Sequence, residues 1–574
     1  MEHIHYESHT ISERLEALYS KEDAKKAYLG VKALIKKYKE RINSQEYHLS
    51  EKDTILITYG DQVQLVNEAP LETLKKFLDE HLKGVINSVH ILPFYPYSSD
   101  DGFSVINYSE VDPKLGSWRE VSAISQHYRL MVDGVINHVS QYSHWFKAYL
   151  ARDEEYKNFF WDVDPSIDLS MVVRPRATPL LSEFTDAEGK IHNIWTTFSR
   201  DQVDLNYSNY KVLLAVLDAL FYYVQMGSTL IRMDAIAFIW KEIGTECVHL
   251  QQTHELIQLM REVLHEVAPE VIIITETNVP HNENISYFGS GQDEAQMVYN
   301  FALPPLLAHS VLAANTEKLT AWAQTLTLPS DKVCFFNFTA SHDGCGMRPA
   351  SGILSDDEIE HLVENTKKHG GLVSYRNTPE GEKPYEINCS YIDILSAPED
   401  ENQLRARRML LTQAVVLAMP GVPGIYFHSL VGSKNYHEGV KLTGINRSIN
   451  REKFNYNYLV DKITNDGNCE KTIFASYKRL ISIRTHEKSF NPFGKFIFLE
   501  LHPSLFVILK YSMDEKESVL AINNFGNASI NIEFSESLNY PLEDLLSDMK
   551  IAKPMSIKIE PYQILWLKNI QGEK

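Results

Sequence analysis

STLIRMDAI, residues 228–236, is an apolar run with a carboxylate near its end, and it follows NYKVLLAVLDALFYYVQM, residues 209–226, a stretch of helical length. A strand covered on both faces reads as such a run, and strands that alternate with helices build a parallel sheet. The same pattern recurs on either side. TILITYG (54–60), VINSVHILP (85–93) and YRLMVDGVI (128–136) precede it. VIIITET (271–277), MVYNFAL (297–303), KVCFFNF (332–338) and GVPGIYF (421–427) follow, with helical segments between. Eight strands in this order predict an α/β fold, a (β/α)8 TIM barrel.

Four of these strands lead into charged groups: DGVINH (Asp133–His138), IRMDA (Ile231–Ala235), ITETN (Ile274–Asn278) and ASHDG (Ala340–Gly344). A side chain at the carboxyl end of a barrel strand emerges on the face where barrel enzymes hold their active sites. Asp133, Asp234, Glu276 and Asp343, with Asn137, His138, Arg232 and His342, are therefore read as one constellation. Singly, each has a plain structural role open to it: Asp133 can cap a strand-to-loop turn, and His138 can be a packing residue. Their succession on consecutive strands favours a joint site.

Residues 1–50 read as an amphipathic helical segment, with Leu15, Leu18, Ala27, Val31 and Leu34 near helical spacing. Residues 51–490 form the expected catalytic barrel, carrying an insertion at 139–206 and an irregular acceptor-side loop at 367–393. From 491 to 574 short strands and turns, KFIFLEL, LFVILKY, SVLAINNF, SINIEF, SIKIE and QILWLK, predict a C-terminal antiparallel β domain.

The charge balance, 56 Lys and Arg against 76 Asp and Glu, leaves a net charge of -20 and argues against nucleic acid or an anionic membrane as partner. Any phosphate must meet a local basic pocket. Five cysteines with no CxxC pair suggest neither a disulfide framework nor a zinc site, and fit a cytoplasmic location. The most apolar stretch, residues 410–427, is broken by two prolines and two glycines into a helix, a turn and a strand.

Cleaving an α-glycosidic bond with retention needs a carboxylate nucleophile and a second, protonated carboxyl. Arg232 and Asp234, two apart on a strand, share a face, so the guanidinium can keep Asp234 ionised as nucleophile. Glu276 ends the next strand, where a neighbouring carboxylate would raise its pKa and suit it to the acid role. His342 and Asp343 are placed to bind sugar hydroxyls and to stabilise an oxocarbenium-like transition state, and His138 can assist from the third strand.

These four regions, in this order, resemble the α-amylase clan of glycoside hydrolases and transglycosidases. The resemblance implies Asp234 as nucleophile, Glu276 as acid/base and Asp343 as transition-state stabiliser. HILPFYPYSSDDGFSVINYSEVDPKLGSW (90–118), RPR (174–176), FSRDQVDLNY (198–207) and NRSINRE (446–452) are similar to the sucrose phosphorylase branch, whose members move glucose reversibly between an acceptor and inorganic phosphate. That likeness assigns Asp100 and Arg447 to clamping the glucosyl unit. Where sucrose phosphorylases have a His two residues after the acid/base and a Gln after the acceptor-loop Tyr, this chain has Asn278 and, after Tyr385, Glu386. TETNVPHNENISYFG (275–289) and YEIN (385–388) look more like phosphorylases of glucosylglycerate or glucosylglycerol, glucosylglycerate first, with D-glycerate as the acceptor.

Phosphorolysis brings a phosphate anion to the glucosyl-enzyme, and an acidic protein then needs arginines on a nearby loop. Arg174 and Arg176, two apart around Pro175, are expected to aim both guanidiniums to one side, with pairing to Glu183 or Asp186 as the alternative. Neither an organic cofactor nor a metal is expected. The competing readings are sucrose, sucrose 6-phosphate or glucosylglycerol as substrate, an α-glucosidase or transglucosidase, and an inactive barrel serving as a scaffold.

Overall fold

Eight parallel strands close into a barrel in the computed structural model, which describes residues 10–44, 47–176, 178–378, 381–533, 542–547, 549–551 and 556–569. They are β1 (Ile55–Thr58), β2 (Ser88–Ile91), β3 (Arg129–Val135), β4 (Ser228–Asp234), β5 (Ile272–Thr275), β6 (Met297–Tyr299), β7 (Cys334–Asn337) and β8 (Val422–Tyr426). Each falls inside one of the eight apolar runs read from the sequence. The ring closes where Ile55 of β1 pairs with Gly424 of β8. Nearly every strand residue is buried, because helices cover the outside and side chains fill the inside.

Two helices precede the barrel, α1 (Ile11–Leu18) and α2 (Lys21–Lys39), each started by a hydroxyl cap, Thr10 and Ser20. Leu15, Ala27 and Val31 are fully buried on their inner faces. Arg14 pairs with Glu255 at 3.0 Å and Glu262 at 3.4 Å, while the Tyr38 hydroxyl donates to Asp218 at 2.9 Å. These contacts dock the pair on the helices Tyr210–Gln225 and Gln251–His265, which flank β4 in the chain.

Between β3 and β4 the insertion is partly ordered into regular elements. It holds a helix, His144–Leu150, an antiparallel pair, Leu181–Thr185 with Ile191–Trp195, and a strand, Gln202–Asp204, that returns to pair with His138–Ser140. The segment read as an irregular loop at 367–393 differs from that expectation. Leu372–Thr378 and Gly381–Asn388 pair antiparallel, with Cys345–Gly346 added along the second strand. The glycines and prolines that suggested irregularity lie mostly at the ends of these strands, and residues 379–380 lie outside the described residues.

After the helix Cys469–His486 comes a six-stranded antiparallel sheet, in the order Phe496–Leu499, Leu505–Tyr511, Ser518–Asn524, Ile564–Asn569, Leu542–Asp544, Met549–Ile551. Alternation along these strands gives it two apolar faces. Phe506, Ile508, Ala521 and Trp566 join the barrel's core, and Leu505, Val507, Ile522 and Leu565 form a second core beneath the pair Ile530–Glu533 and Ser556–Ile559. The strands at 542–544 and 549–551 were not foreseen, since three residues are too few to display a period. None of the five cysteines is in a disulfide. Among the described residues no helix is long and apolar enough to cross a membrane.

Candidate active site

Parallel register places the central charges. Asp133 of β3 lies opposite Arg232 of β4, and Arg232 lies opposite Ile274 of β5. Two residues further along, the same register sets Glu276 across from Asp234, on strands roughly 4.8 Å apart. The Glu276 N–H donates to the Met233 carbonyl at 3.1 Å, which holds the two strand ends together. Ala235, next to Asp234, takes a left-handed conformation, and its N–H donates to Glu276 Oε2 at 3.2 Å.

Arg232 binds three carboxylates from beneath: Asp133, Asp234 at 2.8 Å and Glu276 at 3.7 Å. Asp133 is also bonded to His90 at 2.6 Å, so it anchors the arginine from inside the barrel. The expected Arg232–Asp234 ion pair is therefore present. It does not by itself fix the charge on Asp234, because burial pushes the carboxyl up, Arg232 opposes it, and Glu276, Asp133 and Asp343 add to the rise, to about 8. Burial raises Glu276 as well, against the pull of Arg232. Two interacting carboxyls of this kind titrate as a pair that holds one proton near neutrality.

Asp343 is the opposite case. Burial alone would raise its pKa, but Arg447, His342, Arg232 and Arg451 hold it well below the usual carboxylate range. His342 Nε2 lies 3.4 Å from Asp343, and its ring stacks on Phe103 with centroids 4.6 Å apart. Burial pushes the imidazole down to about 3, so it is neutral and able to donate to a hydroxyl.

The turn at Asp100 carries three consecutive residues with positive φ: Asp100, Asp101 and Gly102, at 53°, 49° and 111°. A Cβ on Gly102 would lie 2.5 Å from the Pro93 carbonyl oxygen, so only glycine fits. The turn aims Asp100 into the cavity, where Arg176 meets it at 3.1 Å. His138 lines the same wall, with Nε2 against the Phe103 carbonyl at 2.9 Å and Nδ1 against Asn137 at 3.2 Å. Asn137 itself lies behind the site, bonded to Asp204 and to the buried Lys241.

Asp234, Glu276, Asp343, Asp100, His138, Arg232, His342, Arg447, Asn278, Tyr385 and Arg176 all line one cavity of about 780 Å³, its open mouth included. That size is in the range of sites for small ligands. Two expected residues do not line it. Arg174 is exposed and donates to the Thr178 carbonyl, because the chain bends at Pro175 and Arg176 and the two-residue alternation of an extended strand does not apply. Arg174 does not pair with Glu183 or Asp186 either; Asp186 is held by Arg152 and His192. Glu386 is buried behind Arg447 and grips its guanidinium at 3.0 and 2.6 Å, so it reaches the cavity through that arginine and not directly.

Along 97% of its length, and 97% of the relative's, the chain is 44% identical to a glucosylglycerate phosphorylase of Spirochaeta thermophila. It is 50% identical to a glucosylglycerate phosphorylase of Allomeiothermus silvanus, over 77% of this chain and 80% of that one. The chain belongs to the glucosylglycerate phosphorylase family. Residues 80–345 match the alpha amylase catalytic domain, in line with the clan resemblance. The fold is shared with the crystal structure of sucrose 6F-phosphate phosphorylase from Thermoanaerobacter thermosaccharolyticum, at a TM-score of 0.73 and 22% identity, covering 88% of this chain and 98% of that one.

Several residues of the site had gone unread. Arg451 donates to the His342 carbonyl at 2.7 Å and pairs with Asp101, and Asn450 donates to the Ser341 and Asp343 carbonyls at 3.2 and 3.1 Å. Both belong to the NRSINRE stretch already singled out for Arg447, which was the available signal. Arg348, Phe198, Gln202 and Phe238 also line the cavity. Phe198 and Gln202 lie in FSRDQVDLNY, while nothing in the local pattern distinguishes Arg348 or Phe238.

Proposed function

We propose that the protein is a disaccharide phosphorylase that reversibly cleaves an α-glucoside, glucosylglycerate, with inorganic phosphate to give α-glucose 1-phosphate and D-glycerate. The observation that supports this reading most is the pairing of Asp234 and Glu276 over Arg232 in a cavity that also receives Arg176, Arg348 and Arg447. A carboxyl pair sharing one proton suits a double displacement, and the arginines suit an anion.

In that scheme Asp234 attacks the anomeric carbon while Glu276 gives its proton to the departing glycerate oxygen, leaving a glucosyl ester on Asp234. Phosphate then enters. As its oxygen attacks the same carbon and the ester bond breaks, Glu276 takes the proton back from phosphate, and configuration is retained. Asp234 has the closer contact to Arg232, which favours it as the ionised member of the pair. Asp343 and neutral His342 bind ring hydroxyls, Asp100 and Arg447 hold the far edge of the glucosyl unit, and Asn278, Tyr385 and Arg176 face the acceptor. Arg232, with Asp133 beneath it, positions both reacting carboxyls. Only protein carboxyls carry the chemistry, and no cofactor enters. Unpaired cysteines fit a reducing cytoplasm.

The test is phosphate release from α-glucose 1-phosphate with D-glycerate, glycerol, fructose and fructose 6-phosphate offered separately. Release with D-glycerate is expected. Release only with another acceptor reassigns the substrate, and glucose formation from an α-glucoside in phosphate-free buffer without any acceptor-dependent release makes the protein a hydrolase or transglucosidase.

A further inference from the structure

Four arginines line the cavity, and their charges are met unequally. Arg232 faces three carboxylates, Arg447 faces Asp343 and Glu386, and Arg176 faces Asp100. Arg348 is different. Among the described residues the one carboxylate within 4.0 Å of its guanidinium is Glu283, at 3.5 Å, and Glu283 is 42% exposed and also lies 3.2 Å from His249. The Arg348 side chain is itself only 18% exposed, so much of its charge is withdrawn from water without a close partner. Burial lowers its pKa, with Glu283 opposing and Arg376 adding to the fall, whereas neighbouring carboxylates drive Arg232 and Arg447 upward against burial.

Its surroundings are built to hold it at the acceptor wall. Arg348 opens a short turn, Arg348–Ala350, whose preceding residue Met347 donates its N–H to the Tyr385 carbonyl at 3.0 Å. Gly346 lies against Asn278: a Cβ there would come within 2.6 Å of the Asn278 amide oxygen. Arg348, Asn278 and Tyr385 are thereby brought onto one lining, and the Asn278 Oδ1 is buried with no hydrogen-bond partner among the described residues.

We propose that Arg348 binds the anionic group of the ligand on the acceptor side, the carboxylate of an acid such as D-glycerate or phosphate itself, with Asn278 and Tyr385 beside it. The assignment rests on the phosphorylase reading. It makes Arg348, and not Arg174, the second arginine of the anion site alongside Arg176. A guanidinium forms paired, charge-assisted hydrogen bonds to either anion, and a lysine reproduces the charge without the fork.

The test compares full-length wild type with Arg348→Gln and Arg348→Lys in both directions of the reaction. Arg348→Gln should raise KM for D-glycerate, for phosphate, or for both at least tenfold, with kcat at saturation reduced less than threefold, and Arg348→Lys should fall between. Which KM moves names the anion held. Both KM values within twofold of wild type, or a fall in kcat with KM unchanged, overturns the proposal. Thermal unfolding with and without 10 to 100 mM D-glycerate or phosphate gives a reading independent of turnover (roughly the range for weak anion binding). Stabilisation of wild type that is lost in Arg348→Gln supports the assignment even if the enzyme proves to use another substrate, and equal stabilisation of both, or of neither, overturns it.

Discussion

Glu386 grips the Arg447 guanidinium with both carboxylate oxygens, at 3.0 and 2.6 Å, and the same guanidinium reaches Asp343. Position 386 therefore bears on the cavity through Arg447, from behind its wall. Glu386→Gln keeps the shape and removes the charge, at a cost of about 1.5–3 kcal/mol for a charge-assisted contact, roughly a 10- to 100-fold loss in kcat/KM. Steady-state kinetics check it, and Glu386→Asp should recover less than half of that loss on a logarithmic scale.

The proposed double displacement requires one proton on the Asp234 and Glu276 pair. With both carboxyls raised by burial, that proton is held above the usual carboxylate range. The profile of kcat/KM should fall on the alkaline side as that proton leaves and on the acid side once both carboxyls are protonated. Glu276→Gln, assayed with a substrate whose leaving group needs no proton, should lose the alkaline limb.

Asp234→Asn removes the proposed nucleophile and should lower kcat on the order of 10⁴-fold or more, with thermal unfolding little changed. Single-turnover kinetics with glucosylglycerate would register no glucosyl-enzyme.

Gly102→Ala should act at a distance from the chemistry. The added Cβ meets the Pro93 carbonyl and the residue must keep φ at 111°, so a cost of about 1–3 kcal/mol is expected. Tm should fall, and KM for the glucosyl donor should rise as Asp100 loses its aim.

Lys510 is buried on the inner side of the C-terminal sheet, its ammonium 3.4 Å from the Asn491 carbonyl and close to Arg484. Burial lowers its pKa to about 7, against about 10.4 in the unfolded chain. Between those values the unfolded state binds more protons, so stability rises with pH through that window, and the penalty is complete below pH 7. Lys510→Met should be more stable than wild type at pH 6, with the gap closing toward pH 10 in denaturant titrations.

The barrel was legible because its strands are covered on both faces and so are largely apolar from Ile55 to Tyr426. The neighbouring positions of Asp234 and Glu276 in one cavity were legible for a related reason: a charge at the end of such a run has only one place to go. Contacts that depend on loops were not. The outward turn of Arg174 follows from a bend at Pro175, and the retreat of Glu386 behind Arg447 follows from pairing between a hairpin and a segment 61 residues away. Arg348 had no signal, since a single arginine in a turn is indistinguishable from a surface one until its neighbours are known.

Arg451 clasps Asp101 across 350 residues of chain, and the barrel itself closes only when β8 reaches β1. On a ribosome the polypeptide emerges from its amino end, so both closures wait until most of the message has been read. Until then β1 and β7 are exposed sheet edges on a half-made cylinder, open to pairing with other chains. The cavity is thus completed late in synthesis, and until then these open edges are a route to aggregation.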